Sequence, residues 1–307
     1  MPRQNDAAST SSTRFSAAST GRETVIYREI YRPGPLRNDF ERLASPAVPM
    51  TDADILSLLL KYFHAALYPG SEAHAVPLAE ISALLGHFYD LWAEAAPGDA
   101  PPVVPTGSHP LRMLTDLPRT AHIFRSVANR PLPPSLVQDP FLGLDCGTGS
   151  GILLAAAWFQ AKRNGVVETR LFGLENDPVI ANHAGALLGA LGIGHVHLGD
   201  ARDPAAYAIL PDGPLAFVGN EILPAAPVVL ATEPFCRIHA TLFSIMPERL
   251  KKTVFFPEAL VVRDREAEND VVLSKNNRFQ MPKHIRQLRA RPRSIVIEGR
   301  LTRLRQI

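Results

Sequence analysis

The sequence has few cysteines and lacks any long apolar run. Cys146 and Cys236 are its two cysteines, so it has no disulfide framework, and a reducing, cytoplasmic location is expected. No window of 18 uncharged apolar residues occurs, so no membrane span is predicted. The N-terminal residues lack the apolar core of a secretory signal peptide. His and Cys do not cluster at metal-ligand spacing, so no metal site is predicted.

The composition divides the 307 residues into three parts. Residues 1–22, rich in Ser, Thr and Ala, predict a disordered arm, and their bias leaves open an export signal of a secreted effector. Residues 23–105 carry two apolar patterns at helical spacing, 51–67 and 77–95, and predict an N-terminal helical segment. A Pro- and Gly-rich linker then marks the boundary to a catalytic domain over 106–307.

Short apolar runs alternate with Ala- and Leu-rich helical segments between residues 111 and 262. This alternation predicts an α/β fold in which helices cover both faces of a parallel sheet. The candidate strands are "FLGLD", "RLFGLE", "HVHLGD", "LAFVGN" and "ALVV".

The stretch "FLGLDCGTGSGILL", 141–154, carries the most informative motif. Gly147, Gly149 and Gly151 separate a strand ending near Asp145 from a helix starting near Ile152. Glycine allows the chain to turn sharply and a ligand to approach the backbone closely. The motif lacks the Gly-Lys-Ser/Thr of a phosphate-binding loop, and its spacing differs from the dinucleotide pattern G-x-G-x-x-G. A plain strand–helix turn without a ligand is the alternative.

Three segments share a resemblance to one enzyme family. "LDCGTGSG" resembles the first motif of class I S-adenosylmethionine (SAM) methyltransferases. "RMLTDLPRTAHIFR", 112–125, is similar to the segment before that motif in protein arginine methyltransferases and their bacterial small-molecule relatives. "VFFPEALVV", 254–262, resembles the strand after the family's fourth helix. The resemblance covers about half of the chain and implies a Rossmann-like methyltransferase sheet with SAM as cofactor.

The resemblance also implies roles for individual residues. Arg119 would hold the methionine carboxylate of SAM by a charge-assisted bond, and Met113 would pack near the sulfonium. Glu175, at the end of the second strand, would accept the ribose hydroxyls, and Asp200 would bind the adenine amino group. The other implied cofactor contacts are Asp145, Gly147, Thr148, Gly149, Gly151, Asn176 and Ala201. Taken singly, each acid is also consistent with a solvated loop residue or a helix cap.

Residues after the fourth strand are the candidates for catalysis. Asn220 and Glu221 follow that strand, and Glu233 comes twelve residues after Glu221. In arginine methyltransferases, two glutamates in this region grip the guanidinium of the acceptor. Such carboxylates would offset its charge and orient one nitrogen for in-line attack. The alternative is that Glu221 caps a helix and Glu233 faces solvent.

Several family features are missing. No Tyr-Phe-x-x-Tyr precedes Met113, no Thr-His-Trp occurs, and Asn220 stands where the family has Ser. About 45 residues follow "FPEALVV", too few for the family's C-terminal β-barrel. We therefore expect the segment 23–105 to replace the barrel as a lid or substrate wall. A small amine, guanidine or carboxylate acceptor fits at least as well as a protein arginine.

The predicted function is SAM-dependent methyl transfer to a guanidino or amine nitrogen of a small molecule or protein side chain. Two alternatives stay open. One is a cyclase or lyase, in which intramolecular attack on SAM releases methylthioadenosine. The other is a non-catalytic SAM-binding module that serves a partner. Membrane partners are not expected, and the sequence leaves the oligomeric state open.

The C-terminal stretch, 275–307, is strongly basic. It carries ten Lys or Arg and one Glu, so its net +9 is set against −7 for the rest of the chain. Such a charge could serve a nucleic acid or an acidic partner. However, Phe279 is its one aromatic residue, and "SIVIEGRLTRL" alternates like a strand pair. The pattern favours an edge hairpin with outward basic side chains over a nucleic-acid surface.

Overall fold

The fold is described from a computed structural model of the chain. The described backbone comprises residues 34–67, 110, 113–114, 116–220, 233–257, 259–264, 269–272, 274–275, 278–279 and 295–300. The predicted arm over 1–22 and the predicted helix over 77–95 lie outside these residues.

Six α-helices, two 3-10 helices (Pro134–Leu136 and Pro204–Ile209) and ten strands are described. The helices are α1 (Leu36–Ala44), α2 (Asp52–Leu67), α3 (Leu117–Ala128), α4 (Ile152–Arg163), α5 (Pro178–Ala190) and α6 (Glu233–Ile245). The first five strands are β1 (Phe141–Cys146), β2 (Thr169–Glu175), β3 (Gly194–Leu198), β4 (Phe217–Gly219) and β5 (Val254–Phe256). The remaining strands are β6 (Ala259–Asp264), β7 (Asn269–Val272), β8 (Ser274–Lys275), β9 (Arg278–Phe279) and β10 (Ile295–Arg300).

The first five strands form a parallel sheet in the order β3-β2-β1-β4-β5. The chain runs outward from β1 to β3 and then crosses to the other side of β1, so the order reverses between β1 and β4. In open α/β sheets, ligands bind beyond the carboxyl ends of the strands at such a switch point. The topology confirms the predicted Rossmann-like α/β fold, and it places the glycine turn after β1 at that point.

Both faces of the sheet are buried, in two separate apolar cores. In β4, Phe217 packs into the core that contains α1 to α4, and Val218 packs into the core that contains α6. Phe256 and Phe255 of β5 divide in the same way. Alternate side chains of a strand point to opposite faces, so double-sided burial explains why these strands are apolar throughout.

The N-terminal helices belong to the domain core. Phe40 of α1 packs against Phe159 of α4 with ring centroids 4.8 Å apart. Arg163, the last residue of α4, donates hydrogen bonds to three carbonyls at the end of α1 and just beyond it, those of Leu43, Ser45 and Val48, at 2.8–3.0 Å. Within the segment 23–105, which is predicted to act as a lid or substrate wall, α1 and α2 bury apolar surface against the helices of the parallel sheet.

A buried ion pair joins these two helices. Lys61 Nζ of α2 lies 2.6 Å from Asp39 Oδ2 of α1, and both side chains are almost fully buried. Buried charges are retained only when they are paired, since removal of one partner leaves an uncompensated charge. The pair therefore fixes how α1 sits on α2.

The segment "VFFPEALVV" divides between two sheets, which corrects the prediction that "ALVV" is a strand of the parallel sheet. β5 ends at Phe256 in the parallel sheet, whereas β6 pairs antiparallel with β7 and β10. Pro257 follows β5, and proline has no N–H to donate to a sheet ladder. Within "SIVIEGRLTRL", Ile295–Arg300 forms the single strand β10, which pairs with β6. The rest of the predicted hairpin lies outside the described residues.

Candidate functional site

The glycine turn after β1 is built by local backbone hydrogen bonds. Gly147 and Thr148 both donate N–H bonds to Leu174 O, at 2.8 and 3.0 Å, so the turn is tied to the end of β2. Gly147, Gly149 and Gly151 have φ values of 71°, 55° and 81°. This left-handed region penalises a Cβ atom, so each position requires glycine. A Cβ atom at Gly149 would also lie 3.0 Å from Pro110 Cβ.

A cavity of about 420 Å³ opens beside this turn, at the carboxyl ends of the strands. Ten of the eleven residues predicted to contact the cofactor line it: Met113, Arg119, Asp145, Gly147, Thr148, Gly149, Glu175, Asn176, Asp200 and Ala201. Ligand pockets commonly have volumes of about 300–1,000 Å³. The cavity therefore has the size and position of a small-ligand site, and the roles of the individual residues stay predictions.

The Glu175 side chain connects the glycine turn to the residues just before α5 by hydrogen bonds. Its Oε2 accepts the N–H of Gly149 at 2.9 Å. Its Oε1 accepts the N–H groups of Asn176 and Asp177, at 2.9 and 3.0 Å. Three backbone N–H donors thus satisfy this buried carboxyl group. Glu175 thus holds the turn in shape, and one lone-pair position, on Oε2, remains to accept a ligand hydroxyl.

The segment before the glycine motif folds over the cavity through its own polar side chains. Asp116 caps α3 by accepting the N–H of Arg119 at 3.2 Å. The Thr120 hydroxyl donates to Met113 O at 2.9 Å. These two bonds bring Arg119 Nη1 to 3.6 Å from Met113 Sδ on the cavity wall. Asp116 and Thr120 are therefore structural, and the Arg119 guanidinium and the Met113 thioether form one patch of the lining.

Asp200 and Arg202 form an ion pair on the cavity wall beyond β3. Arg202 Nε lies 2.9 Å from Oδ1 and 3.0 Å from Oδ2, and Nη2 lies 2.5 Å from Oδ2. The backbone N–H of Arg202 also donates to Oδ1 at 2.8 Å. Hydrogen bonds from Arg202 lower the pKa of the Asp200 carboxyl. Sequence reasoning missed Arg202, although its place two residues after Asp200 was visible.

Tyr62 links α2 to the glycine turn. Its hydroxyl donates to Ser150 O at 2.9 Å, and the side chain is fully buried. Burial raises the pKa of the Tyr62 phenol, and Asp145 adds to that shift. Gly151, the one predicted cofactor residue that does not line the cavity, lies in this contact. A Cβ atom at Gly151 would meet the Tyr62 hydroxyl at 3.1 Å and Leu188 Cδ1 at 2.9 Å.

The end of β4 packs tightly against Asp145. A Cβ atom at Gly219 would lie 2.5 Å from Asp145 Oδ1 and 2.7 Å from Leu153 Cδ2, so a larger residue would displace the cavity wall. Asn220 comes next and is fully buried. It does not line the cavity: its Nδ2 lies 3.0 Å from His239 Nδ1 of α6 and 3.4 Å from Phe235 O. Among the described residues, no donor meets Asn220 Oδ1.

The two candidate catalytic glutamates are only partly located. Glu221 lies outside the described residues. Glu233 is the first residue of α6, but its side chain is not described. The same helix brings Pro234 and Ile238 to the cavity, two lining residues that sequence reasoning missed because their spacing matched no motif. The helix therefore forms one wall of the site.

Three further observations concern metal-ligating groups, helix length and the buried cysteine of the described region. No cluster of three His, Cys, Asp or Glu side chains suited to a metal occurs among the described residues. None of the described helices combines the length and apolarity needed to cross a bilayer. Cys146 is buried at the end of β1, and burial raises the pKa of its thiol. A protonated thiol is a poor nucleophile, so Cys146 acts as a core residue.

Comparison with known proteins gives distant structural likenesses. No protein-family model and no curated protein matches the chain. A Trypanosoma brucei PRMT1 enzyme–prozyme complex with AdoHcy is 18% identical over 51% of this chain and 45% of that chain, with a TM-score of 0.38. A possible exported protein from Bordetella parapertussis is 13% identical over 91% of this chain and 84% of that chain, with a TM-score of 0.32.

A class I SAM-dependent methyltransferase described as putative, from Listeria monocytogenes, is 11% identical, and the match covers 67% of this chain and 62% of that chain with a TM-score of 0.28. The chain thus spans less than half of the trypanosome chain and less than two thirds of the Listeria chain. Likenesses at these scores carry no argument about activity, which has to come from the geometry of the site.

Proposed function

We propose that the chain is a SAM-dependent methyltransferase that transfers the methyl group to a guanidino or amine nitrogen of a small molecule or protein side chain. One observation carries the proposal. The cavity at the switch point of the sheet gathers a glycine turn, three carboxylates that follow successive strands, and an arginine. This set combines bare backbone with acceptors for hydroxyl and amino groups and a donor for a carboxylate, which are the groups that SAM presents.

The fit of SAM rests on the cavity's own features. The glycine turn presents bare backbone to the cavity, since Gly147 and Gly149 line it and carry no side chain. Glu175 keeps one lone-pair position, on Oε2, for a ligand hydroxyl, and Arg119 supplies a cation beside a thioether. The lining carries three carboxyl groups, those of Asp145, Glu175 and Asp200, and two guanidinium groups, those of Arg119 and Arg202, so it offers partners for both charged ends of SAM.

The chemistry divides between the ligand and the chain. When bound, SAM supplies an electrophilic methyl group on a sulfonium. The chain's part is to hold the acceptor in line and to exclude water, and both effects act through position and electrostatics. No proton-transfer residue is required at the methyl carbon itself. Transfer would form the nitrogen–methyl bond as the sulfur–methyl bond breaks, with S-adenosylhomocysteine as the leaving group. An acceptor that is cationic at neutral pH would also release one proton to water, and a carboxylate after β4 would hold the cationic acceptor before that release.

The glutamates after β4 are the side chains proposed to hold a nitrogen acceptor. Asn220, directly beyond β4, is fully buried and does not line the cavity, so its proposed part is to position the chain that leads to Glu221 and not to touch the acceptor. Glu221 is next in the chain, and Glu233 begins α6, the helix on the cavity wall.

Product analysis tests the proposal directly. The full-length chain is incubated with SAM and a panel of amines, guanidines and arginine-containing peptides, and the nucleoside product is identified by mass spectrometry. S-adenosylhomocysteine together with a methylated acceptor is the expected result. Methylthioadenosine as the nucleoside product would contradict methyl transfer and indicate that the chain cyclises or cleaves SAM. SAM binding without any turnover across the panel would identify a binding module.

Glu221→Gln tests the acceptor side. The change keeps shape and partial hydrogen bonding but removes the charge, so SAM affinity should change little while single-turnover rate falls by about two to four decades. Glu168→Gln is the matched control, because that exposed glutamate pairs with Arg170 on β2 and does not line the cavity. A Glu221→Gln rate within about threefold of the unchanged chain would exclude Glu221 from the chemistry.

A further inference from the structure

The carboxylate of Asp200 is already fully engaged by Arg202. A carboxylate offers about four lone-pair positions. The backbone N–H and Nε of Arg202 occupy Oδ1 at 2.8 and 2.9 Å, and Nε and Nη2 occupy Oδ2 at 3.0 and 2.5 Å. An arriving amino group therefore finds no vacant position on Asp200 while the guanidinium stays in place.

The ion pair between Asp200 and Arg202 can be broken at a small cost in free energy. The side chains of Asp200 and Arg202 are 41% and 43% exposed, so water can replace either partner. Exposed ion pairs of this kind contribute little net stability, and salt screens them. The backbone bond from Arg202 N to Asp200 Oδ1 does not depend on the guanidinium, so it keeps the carboxylate oriented after the side chain leaves. A ligand donor can thus displace the guanidinium at a small cost.

We infer that the Arg202 guanidinium competes with the nucleobase of the ligand for the Asp200 carboxylate. Arg202 thereby helps to determine which nucleobase the site selects. An exocyclic amino group on the base donates to Asp200 and displaces the guanidinium. An oxo group at the same position presents an oxygen to a carboxylate, so it gains no bond there and leaves the Asp200–Arg202 pair closed. The inference rests on the proposed function, because it takes the nucleoside end of SAM as the ligand.

If Arg202 competes with the ligand, removal of its guanidinium should strengthen ligand binding. Arg202→Met keeps an apolar stem of similar reach but removes the guanidinium, so Asp200 is free before the ligand arrives. The affinity for S-adenosylhomocysteine should rise by roughly two- to fivefold, the range expected for loss of one exposed ion pair. The affinity for S-inosylhomocysteine, which has an oxo group in place of the amino group, should not rise.

The experiment is isothermal titration calorimetry on the full-length chain with these two nucleosides. Arg170→Met is the matched control, since Arg170 forms an equally exposed pair with Glu168 at the same sequence separation but does not line the cavity. Its affinities should equal those of the unchanged chain. In an Asp200→Asn background, Arg202→Met should have no further effect, because a double-mutant cycle isolates the interaction between the two residues.

Salt provides an independent readout. Raising NaCl from about 0.05 M to about 0.5 M screens the ion pair, so the unchanged chain should gain S-adenosylhomocysteine affinity relative to Arg202→Met. Weaker binding of S-adenosylhomocysteine by Arg202→Met would overturn the inference, since Arg202 would then be a direct ligand contact. Equal gains for both nucleosides would also overturn it. Failure of the unchanged chain to bind S-adenosylhomocysteine would overturn the proposed function and this inference together.

Discussion

His239 couples the stability of the protein to acid. The imidazole is buried on α6, stacked on Phe235 at 4.2 Å between ring centroids and tilted against Phe255 at 5.5 Å. Its Nδ1 lies 3.0 Å from Asn220 Nδ2 and 3.2 Å from Phe235 O. Burial lowers the pKa of His239 to about 4, although the bond to Phe235 O opposes the shift. The native structure therefore holds the ring neutral. Its tautomer decides whether Nδ1 accepts from the Asn220 amide or donates to Phe235 O, since one nitrogen cannot do both.

The sign and size of the effect follow from linkage. A histidine whose pKa is lower in the folded state than in the unfolded state does not reduce the free energy of unfolding well above pH 6.5, because the ring is then neutral in both states. As the pH falls through 6.5 the unfolded chain takes up the proton first, so stability declines until the pH reaches about 4. Between the pKa of the unfolded chain and that of the folded chain, the free energy of unfolding falls by about 3 kcal/mol. About 2 kcal/mol of this is lost between pH 7 and pH 5.

The assay is urea unfolding followed by circular dichroism between pH 7 and pH 5. His239→Phe keeps the aromatic stack but cannot titrate, so the free energy of unfolding should fall by about 2 kcal/mol less than in the unchanged chain over this window. His183→Gln, on the partly exposed part of α5, controls for the loss of a histidine as such and should keep the full decline. A decline in His239→Phe as steep as in the unchanged chain would refute the reasoning.

Three further outcomes are expected. Tyr62→Phe strands Ser150 O, so the free energy of unfolding should fall by about 1 kcal/mol and calorimetric SAM affinity should weaken; unchanged affinity would show that the turn needs no support from α2. Glu175→Ala should weaken SAM binding by about 1–3 kcal/mol, because the Gly149 amide and a ligand hydroxyl lose their acceptor; an unaltered dissociation constant would remove Glu175 from the site. A chain starting near residue 105 should lose its cooperative thermal transition, because the buried faces of α1 and α2 are deleted; a native-like melt would support the idea of a separable lid.

The sequence predicted those parts of the site that are encoded locally. The apolar run, the glycines and the following helical pattern lie within fourteen residues, so β1, the turn and α4 could be read together. The carboxylates of Glu175 and Asp200 were predictable because each follows an apolar strand. In a parallel sheet those positions meet at one edge.

Contacts between distant residues could not be read in this way. The Tyr62–Ser150 bond joins residues 88 positions apart, and it follows from the docking of α2 rather than from any pattern. Asn220 and His239 meet only because α6 packs beneath β4. The boundary between β5 and β6 is a different case. Pro257 was visible in "VFFPEALVV", and its missing N–H argued against one continuous strand.

The hydrogen bonds from Arg163 to the carbonyls at the end of α1 have a consequence for folding during translation. The carbonyls it binds are 115–120 residues earlier in the chain. At roughly 5–20 residues per second, α1 leaves the ribosome about 6–24 s before its partner exists. During that interval Phe40 and its apolar neighbours have no α4 to cover them, and the contact that finally buries them closes a long loop, which is slow. We expect ribosome-bound chains that end before α4 to be protease-sensitive in α1 and to engage chaperones that hold exposed apolar segments.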